Sequence, residues 1–224
     1  MNDLRIPGTP TNGWLLLIGG GEFSFGETRE FDEFLLSKLP ADNRTIAFVP
    51  VASGSNEYAT HFGTYLRGID PSVEVSNVPI YRPRDARRQK NLERLESAGL
   101  VYLGAGVTNT VIGALRNSPV VESLGRVLAA GKCVAAIGAA AAAFGVATHD
   151  IERPGGWLPG LGLVPETVVE TAFDASNDTP LRRLMSLPEA KLGVAIPRDA
   201  AIAIAPDRSA TILGSGRIAL VRKA

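Results

Sequence analysis

The chain is poor in the residues that most often carry chemistry. Its 224 residues include one cysteine, Cys133, and two histidines, His61 and His149. One cysteine excludes an internal disulfide and fits a reducing cytosol, so the expected location is cytoplasmic. Two histidines and one thiol leave no His/Cys/Asp cluster with metal-ligand spacing, so no metal or other cofactor is expected. Aromatic residues make up only 6%. Excess charge is missing too: Lys+Arg and Asp+Glu number 23 each, which removes any global pull toward nucleic acid or an anionic membrane. No apolar run is long enough to span a bilayer; the Ala/Gly stretch at 133–148 is too short and too weakly apolar. The opening "MNDLRIPGTPTNG" has no apolar core of the signal-peptide kind, and residues 1–13 read as a short flexible arm.

What is present is an alternation. "WLLLIGG" (14–20), "TIAFVPV" (45–51), "VEVSNVPIY" (73–81), "GLVYLG" (99–104) and "CVAAIG" (133–138) are short and apolar on both faces, and glycine or proline punctuates their ends. Amphipathic stretches at 27–39, 56–69, 85–98 and 120–130 lie between them; in the first, Phe31, Phe34, Leu35 and Leu39 share one face. Strand alternating with helix predicts an α/β fold, a three-layer α/β/α sandwich around a mainly parallel sheet of flavodoxin-like type. After residue 160 the strand-like segments 163–173, 191–197, 200–206 and 209–223 crowd together, broken by one helical stretch at 179–187. They are expected to extend the same sheet, partly antiparallel. No repeat, linker or boundary divides residues 1–224, and one domain is expected.

Ligands in such folds bind beyond the carboxyl ends of the strands, so the turns there carry the information. They read "GGGEF" (19–23), "VASGSNEY" (51–58), "GAGVTNT" (104–110) and "GAAAAAFG" (138–145). The dinucleotide pattern fails, because Ser24 and Asn109 stand where a third glycine is needed, and no Gly-Lys-Ser/Thr makes a phosphate loop. The last turn has the strand–glycine–helix form in which many hydrolases present a nucleophile, yet none of its side chains can act as one.

Taken together, "LLLIGGGE", "IAFVPVASG", "YLGAGVTNT", "VAAIGAAAAA" and "LPGLGLVPETVVETAF" resemble, in order, the serine peptidases typified by aspartyl dipeptidase and cyanophycinase. The resemblance covers residues 14 to 205. It implies a class I glutamine amidotransferase-like fold, a nucleophile elbow Gly-x-Ser-Ala-Gly-Ala, and a histidine and a carboxylate further along. Carried onto this chain, the serine position is Ala140, the histidine position is Ala172, and the acid position is Arg198, or Asp199 with a one-residue slip. Alanine has neither hydroxyl nor imidazole. Loss of one member of such a triad lowers turnover by roughly 10⁴–10⁶-fold. The resemblance therefore implies a non-catalytic homologue of these peptidases. The alternative, an active serine-type hydrolase using other residues, stays open, as does a structural role in a homo-oligomer.

The remaining candidates have ordinary structural roles to weigh. His149 is expected to cap the helix that follows the alanine turn, beside Asp150, and His61 to lie on a helix surface. Cys133 is expected to pack as a small hydrophobe. Ser53 and Ser55 suit a helix cap. The arginines at 82, 84, 87 and 88 are interleaved with acids and read as a solvated face. A binding cleft is expected to outlast the catalysis. Gly106 and Ala141 would offer backbone N–H groups where the family holds an oxyanion, with Glu22, Ser53, Asn109 and Thr110 at the rim. A small carboxylate or peptide is the expected ligand. Residue 140 is expected to keep the strained backbone of the elbow.

Overall fold

A computed structural model describes residues 4–51 and 56–223. Its strands are β1 (Leu15–Ile18), β2 (Thr45–Val49), β3 (Glu74–Asn77), β4 (Leu100–Leu103), β5 (Cys133–Ile137), β6 (Ala147–His149), β7 (Trp157–Pro159), β8 (Thr167–Thr171), β9 (Leu192–Ile196), β10 (Ala200–Ile204), β11 (Ala210–Gly214) and β12 (Ala219–Arg222). Its helices are α1 (Arg29–Lys38), α2 (Asn56–Ile69), α3 (Gln89–Ser97), α4 (Thr108–Leu115), α5 (Pro119–Ala129), α6 (Ala139–Ala143) and α7 (Thr179–Met185).

The main sheet has the order β11-β10-β1-β5-β4-β2-β3. The five strands expected from the apolar runs are its parallel part, and β5 lies between β1 and β4 at the centre. Alternation along each strand divides the side chains between two layers. Leu15, Leu17, Ala47, Val49, Val101, Leu103, Val134 and Ala136 share one core with α3, α4, α5 and α6. Leu16, Ile18, Ile46, Phe48, Leu100, Tyr102 and Ala135 face the other way, onto α1 and α2. Both faces are covered, which is why these strands read as continuous apolar runs.

Two expectations are corrected. The late strands do not all extend the main sheet. β10 and β11 add to it, antiparallel, while β8, β9 and β12 form a separate three-stranded sheet, and β6 pairs with β7 alone. β8 runs parallel to β9, and the chain leaves one sheet for the other in the turn 197–199. Nor does the leading segment hang free. Ile6 is buried, its N–H donates to the carbonyl of Arg208 at 3.0 Å, and Arg5 bridges to Ser209. The buried guanidinium of Arg208 donates to the carbonyls of Ile6 and Pro7, giving otherwise orphaned acceptors a charged donor.

Arg208→Ala should therefore cost about 1–3 kcal/mol and expose residues 4–13 to limited proteolysis before the rest of the chain. Unchanged melting and an unchanged digestion pattern would contradict this anchoring.

Candidate functional site

The carboxyl end of β1 gathers the segments that the sequence singles out. The N–H of Gly138, after β5, donates to the carbonyl of Ile18 at 2.9 Å. The N–H of Ala172, after β8, donates to the carbonyl of Gly19 at 3.0 Å. Gly19 in turn donates to the carbonyl of Ala200 at 2.9 Å. A Cβ on Gly19 would lie 1.9 Å from the carbonyl oxygen of Pro197, so only glycine permits this approach. One residue on, a Cβ at Gly20 would come within 3.0 Å of the Arg198 side chain. The alanine turn, Ala172 and the Arg198–Asp199 turn thus meet around Gly19–Gly20.

The tight turn is not at residue 140. Gly138 has φ 56° and ψ −122°, a region L-residues rarely adopt, and α6 begins immediately after it. The N–H of Ala142 closes the first helical bond onto the carbonyl of Gly138 at 2.9 Å. Ala140 and Ala141 lie inside α6 and are fully buried, so neither faces a cleft. The physical reason is plain. Five identical alanines carry no local mark of where the helix starts, and the strained conformation settles on the one residue that adopts it freely. Within 4 Å, a Cβ at Gly138 would meet only Ala105 Cβ, at 3.8 Å, so there is space for a side chain there. Ala172 is exposed and holds φ 50°, an uncommon value for a residue with a Cβ.

The acid position is occupied by the opposite charge. Arg198 reaches Glu27 at 3.2 Å, and the same carboxylate oxygen accepts the N–H of Glu22 at 2.8 Å. That backbone bond first, and then Arg198, hold the Glu27 carboxyl below its ordinary pKa. Asp199 is turned to other work: it accepts the Ser215 hydroxyl at 2.6 Å in the link between β11 and β12. The rim residues divide. Gly106 and Thr110 are exposed beside the turn. Asn109 spends its amide on the β6–β7 hairpin, donating to Asp150 at 2.7 Å and accepting the N–H of Ile151 at 3.1 Å. Glu22 accepts the N–H of Ser24 at 3.3 Å and starts a 3-10 turn over Phe23–Phe25. Ser53 falls outside the described residues.

Known proteins share this arrangement. The family model described as "Peptidase family S51" matches residues 15–212. The chain belongs to peptidase family S51. Cyanophycinases of Trichormus variabilis and of a Nostoc species are each 28% identical to it over 236 residues, covering 98% of this chain and 76% of theirs. A solved peptidase from an acI-B1 actinobacterium superposes with a TM-score of 0.75 at 20% identity, over 92% of this chain and 89% of its own. A peptidase E-like protein of Listeria monocytogenes EGD-e gives a TM-score of 0.60 at 14% identity, over 95% and 99%.

In this S51 chain the histidines are not both where the sequence suggests. α6 stops at Ala143, so His149 caps nothing; it ends β6. Its Nε2 lies 2.7 Å from Glu170 on β8, two residues before Ala172. The short α6 is the reason, since the chain turns back as a strand where a longer helix was expected. His61 is exposed on α2, as anticipated. Cys133 is buried, and burial pushes its thiol up to about 11, the state of an inert packing residue. Among the described residues no group of three or more His, Cys, Asp or Glu could hold a metal ion.

Sequence reading missed a buried carboxylate. Asp32 on α1 is 1% exposed and accepts hydroxyl hydrogens from Thr28 at 2.7 Å and Tyr65 at 2.9 Å, both on one oxygen. Its other oxygen has no partner. The available signal was its place between Phe31 and Leu35, on the apolar stripe of α1. Burial raises its pKa to about 7, against the two hydrogen bonds that favour the charged form. Beside this cluster, under the turn, Gly21, Thr28, Tyr58, Tyr102, Gly104 and Ile137 line an enclosed cavity of about 10 Å³, enough for one water at most.

Two tests follow from this geometry. A cysteine introduced as Gly138→Cys should react readily with iodoacetamide, whereas Ala140→Cys and the native Cys133 should stay silent until the chain unfolds. Equal reactivity at 138 and 140 would contradict the placement of the turn. The second test concerns Asp32. The folded chain keeps this proton to about pH 7, while an unfolded carboxyl releases it near pH ~4. Its contribution to stability is therefore complete below about pH 4 and is lost as pH rises to about 7. The melting temperature should fall between pH 5 and pH 8, with a shallower slope in Asp32→Asn; identical slopes would refute the assignment.

Proposed function

We propose that this chain is a non-catalytic member of peptidase family S51 that keeps a cleft for a small carboxylate or peptide. The observation that carries this reading is the state of the strained turn. Gly138 holds the sharp strand-to-helix conformation in which hydrolases present a nucleophile, and it has no side chain. Acyl transfer by a serine also needs a base to take the hydroxyl proton. At the position where the resemblance puts that base stands Ala172, and the position of the acid holds a cation paired with Glu27. With the turn at 138, the N–H that follows it belongs to Ala139, not Ala141; with the exposed turn at Gly106 it supports anion binding at this end of the sheet. Among the described residues no helix is long and apolar enough to cross a membrane. We place the protein in the cytoplasm because its single cysteine is a buried free thiol.

A second reading, an active hydrolase with other residues, is favoured by one observation. β6 runs beside β8 with the N–H of Val146 on the carbonyl of Thr167, so the His149–Glu170 pair lies toward the same strand ends as Ala172.

The purified protein should cleave neither aspartyl dipeptides nor a multi-arginyl-aspartate polymer, and a serine-directed phosphonate should leave it unmodified. Turnover above about 1 s⁻¹, the low end for ordinary enzymes, would overturn the first reading. If that activity vanished in His149→Ala, the second would replace it.

A further inference from the structure

Aromatic side chains are scarce in this protein, and their placement is uneven. Three of the four tyrosines, Tyr58, Tyr65 and Tyr102, stand with Phe23, Phe48 and Phe62 in one cluster between α2 and the main sheet. Tyr58 and Tyr65 are seven residues apart on α2 and share a face. Tyr58 stacks on Phe48 with centroids 5.7 Å apart, and Tyr65 stacks on Phe62 at 6.1 Å. Phe23 meets Tyr58 edge-on at 5.0 Å and Tyr65 at 5.2 Å. Outward of these rings opens a cavity of about 550 Å³, lined by Glu22, Phe23, Ser24, Tyr58, His61, Thr64 and Tyr65 among the described residues.

The charge around this cavity has one sign. Glu22 enters no ion pair among the described residues, while its neighbour Glu27 is held by Arg198. No Lys or Arg lines the space. Behind Tyr65 lies the buried carboxyl of Asp32, with one oxygen unpartnered. Burial, and after it the negative charges of Glu22 and Asp32, push the Tyr58 hydroxyl up to about 12. At the opposite end of α1, by contrast, the aromatic pair Trp14 and Phe34 is already covered: Lys38 Nζ sits 4.9 Å from both ring centroids. Aromatic rings and a free carboxylate around an open space are complementary to a cation with apolar surface, which gains both Coulomb attraction and ring-quadrupole contact.

We propose that the cavity walled by Glu22, Phe23, Tyr58 and Tyr65 binds an organic monocation, an alkylammonium or alkylguanidinium group. Thr64 and Ser24 supply hydroxyls at the rim, and His61 is neutral and compatible with a cation at alkaline pH. The proposal does not depend on whether the S51 turn is catalytic, because no residue of that turn contacts the ligand.

The test is calorimetric titration at pH 8 with choline, with ethylguanidinium, and with 3,3-dimethylbutan-1-ol, the uncharged counterpart of choline. At least one cation should bind about tenfold or more tightly than the alcohol, with amide NMR shifts at Phe23, Ser24 and Thr64. Preference for choline would identify a rounded ammonium ligand, and preference for ethylguanidinium a planar one; either supports the site. Glu22→Gln can still accept the Ser24 N–H and should fold normally, yet weaken the cation about tenfold. Tyr58→Phe keeps the ring and should bind as the native chain does, whereas Tyr58→Leu should not. Glu57→Gln, on the same helix but outside the cavity, is the control. Equal affinity for alcohol and cations, no binding of either cation, or an unchanged affinity in Glu22→Gln would overturn the proposal.

Discussion

Everything at the functional end of this molecule hangs on the backbone of two residues, Ile18 and Gly19. Their carbonyls accept the N–H groups of Gly138 and Ala172, and the Gly19 N–H reaches the carbonyl of Ala200. These bonds tie the main sheet to the second sheet at the point where one feeds the other. They are made possible by a missing atom, since a Cβ at Gly19 would collide with the Pro197 carbonyl. Backbone bonds of this kind do not depend on the chemistry of the attached side chains. The scaffold of an S51 peptidase therefore stays assembled around positions whose side chains read alanine and arginine.

The parts of the fold that were legible in the sequence are those where burial is symmetrical. β1, β2, β4 and β5 are buried on both faces, so they appear as apolar runs, and helices between them complete the parallel pattern. The second sheet was not legible for the same reason. β9 reads LGVAI and β10 reads AAIAI, two equally buried runs with a three-residue turn between them. Nothing local says that one belongs to each sheet; that is decided by pairing with residues far away. The packed leading segment depends likewise on Arg208, some two hundred residues distant.

At the site, residue identity was legible and geometry was not. That Ala172 has no imidazole and that the alanine turn has no hydroxyl are facts of composition. Where the turn bends is not: a run of alanines is uniform, and the bend falls two residues before the position that motif alignment suggests. Asp32 and the His149–Glu170 pair were missed because each acquires its character from a partner on another element. A carboxylate on an apolar stripe is the kind of signal that such readings pass over.

The glycine at 138 has an evolutionary consequence. A residue with a Cβ held at φ 56° and ψ −122° carries of order 1–3 kcal/mol of strain, which glycine does not. Emptying this position therefore stabilised the chain while removing the place for a hydroxyl. Ala172, still at φ 50°, received no such relief. The two positions are thus unequal as routes back to an enzyme. A histidine could return at 172 onto backbone already bent for it, but a serine at 138 would have to be selected against a gain in stability. That asymmetry acts as a ratchet, making loss at the turn easy to keep and hard to reverse.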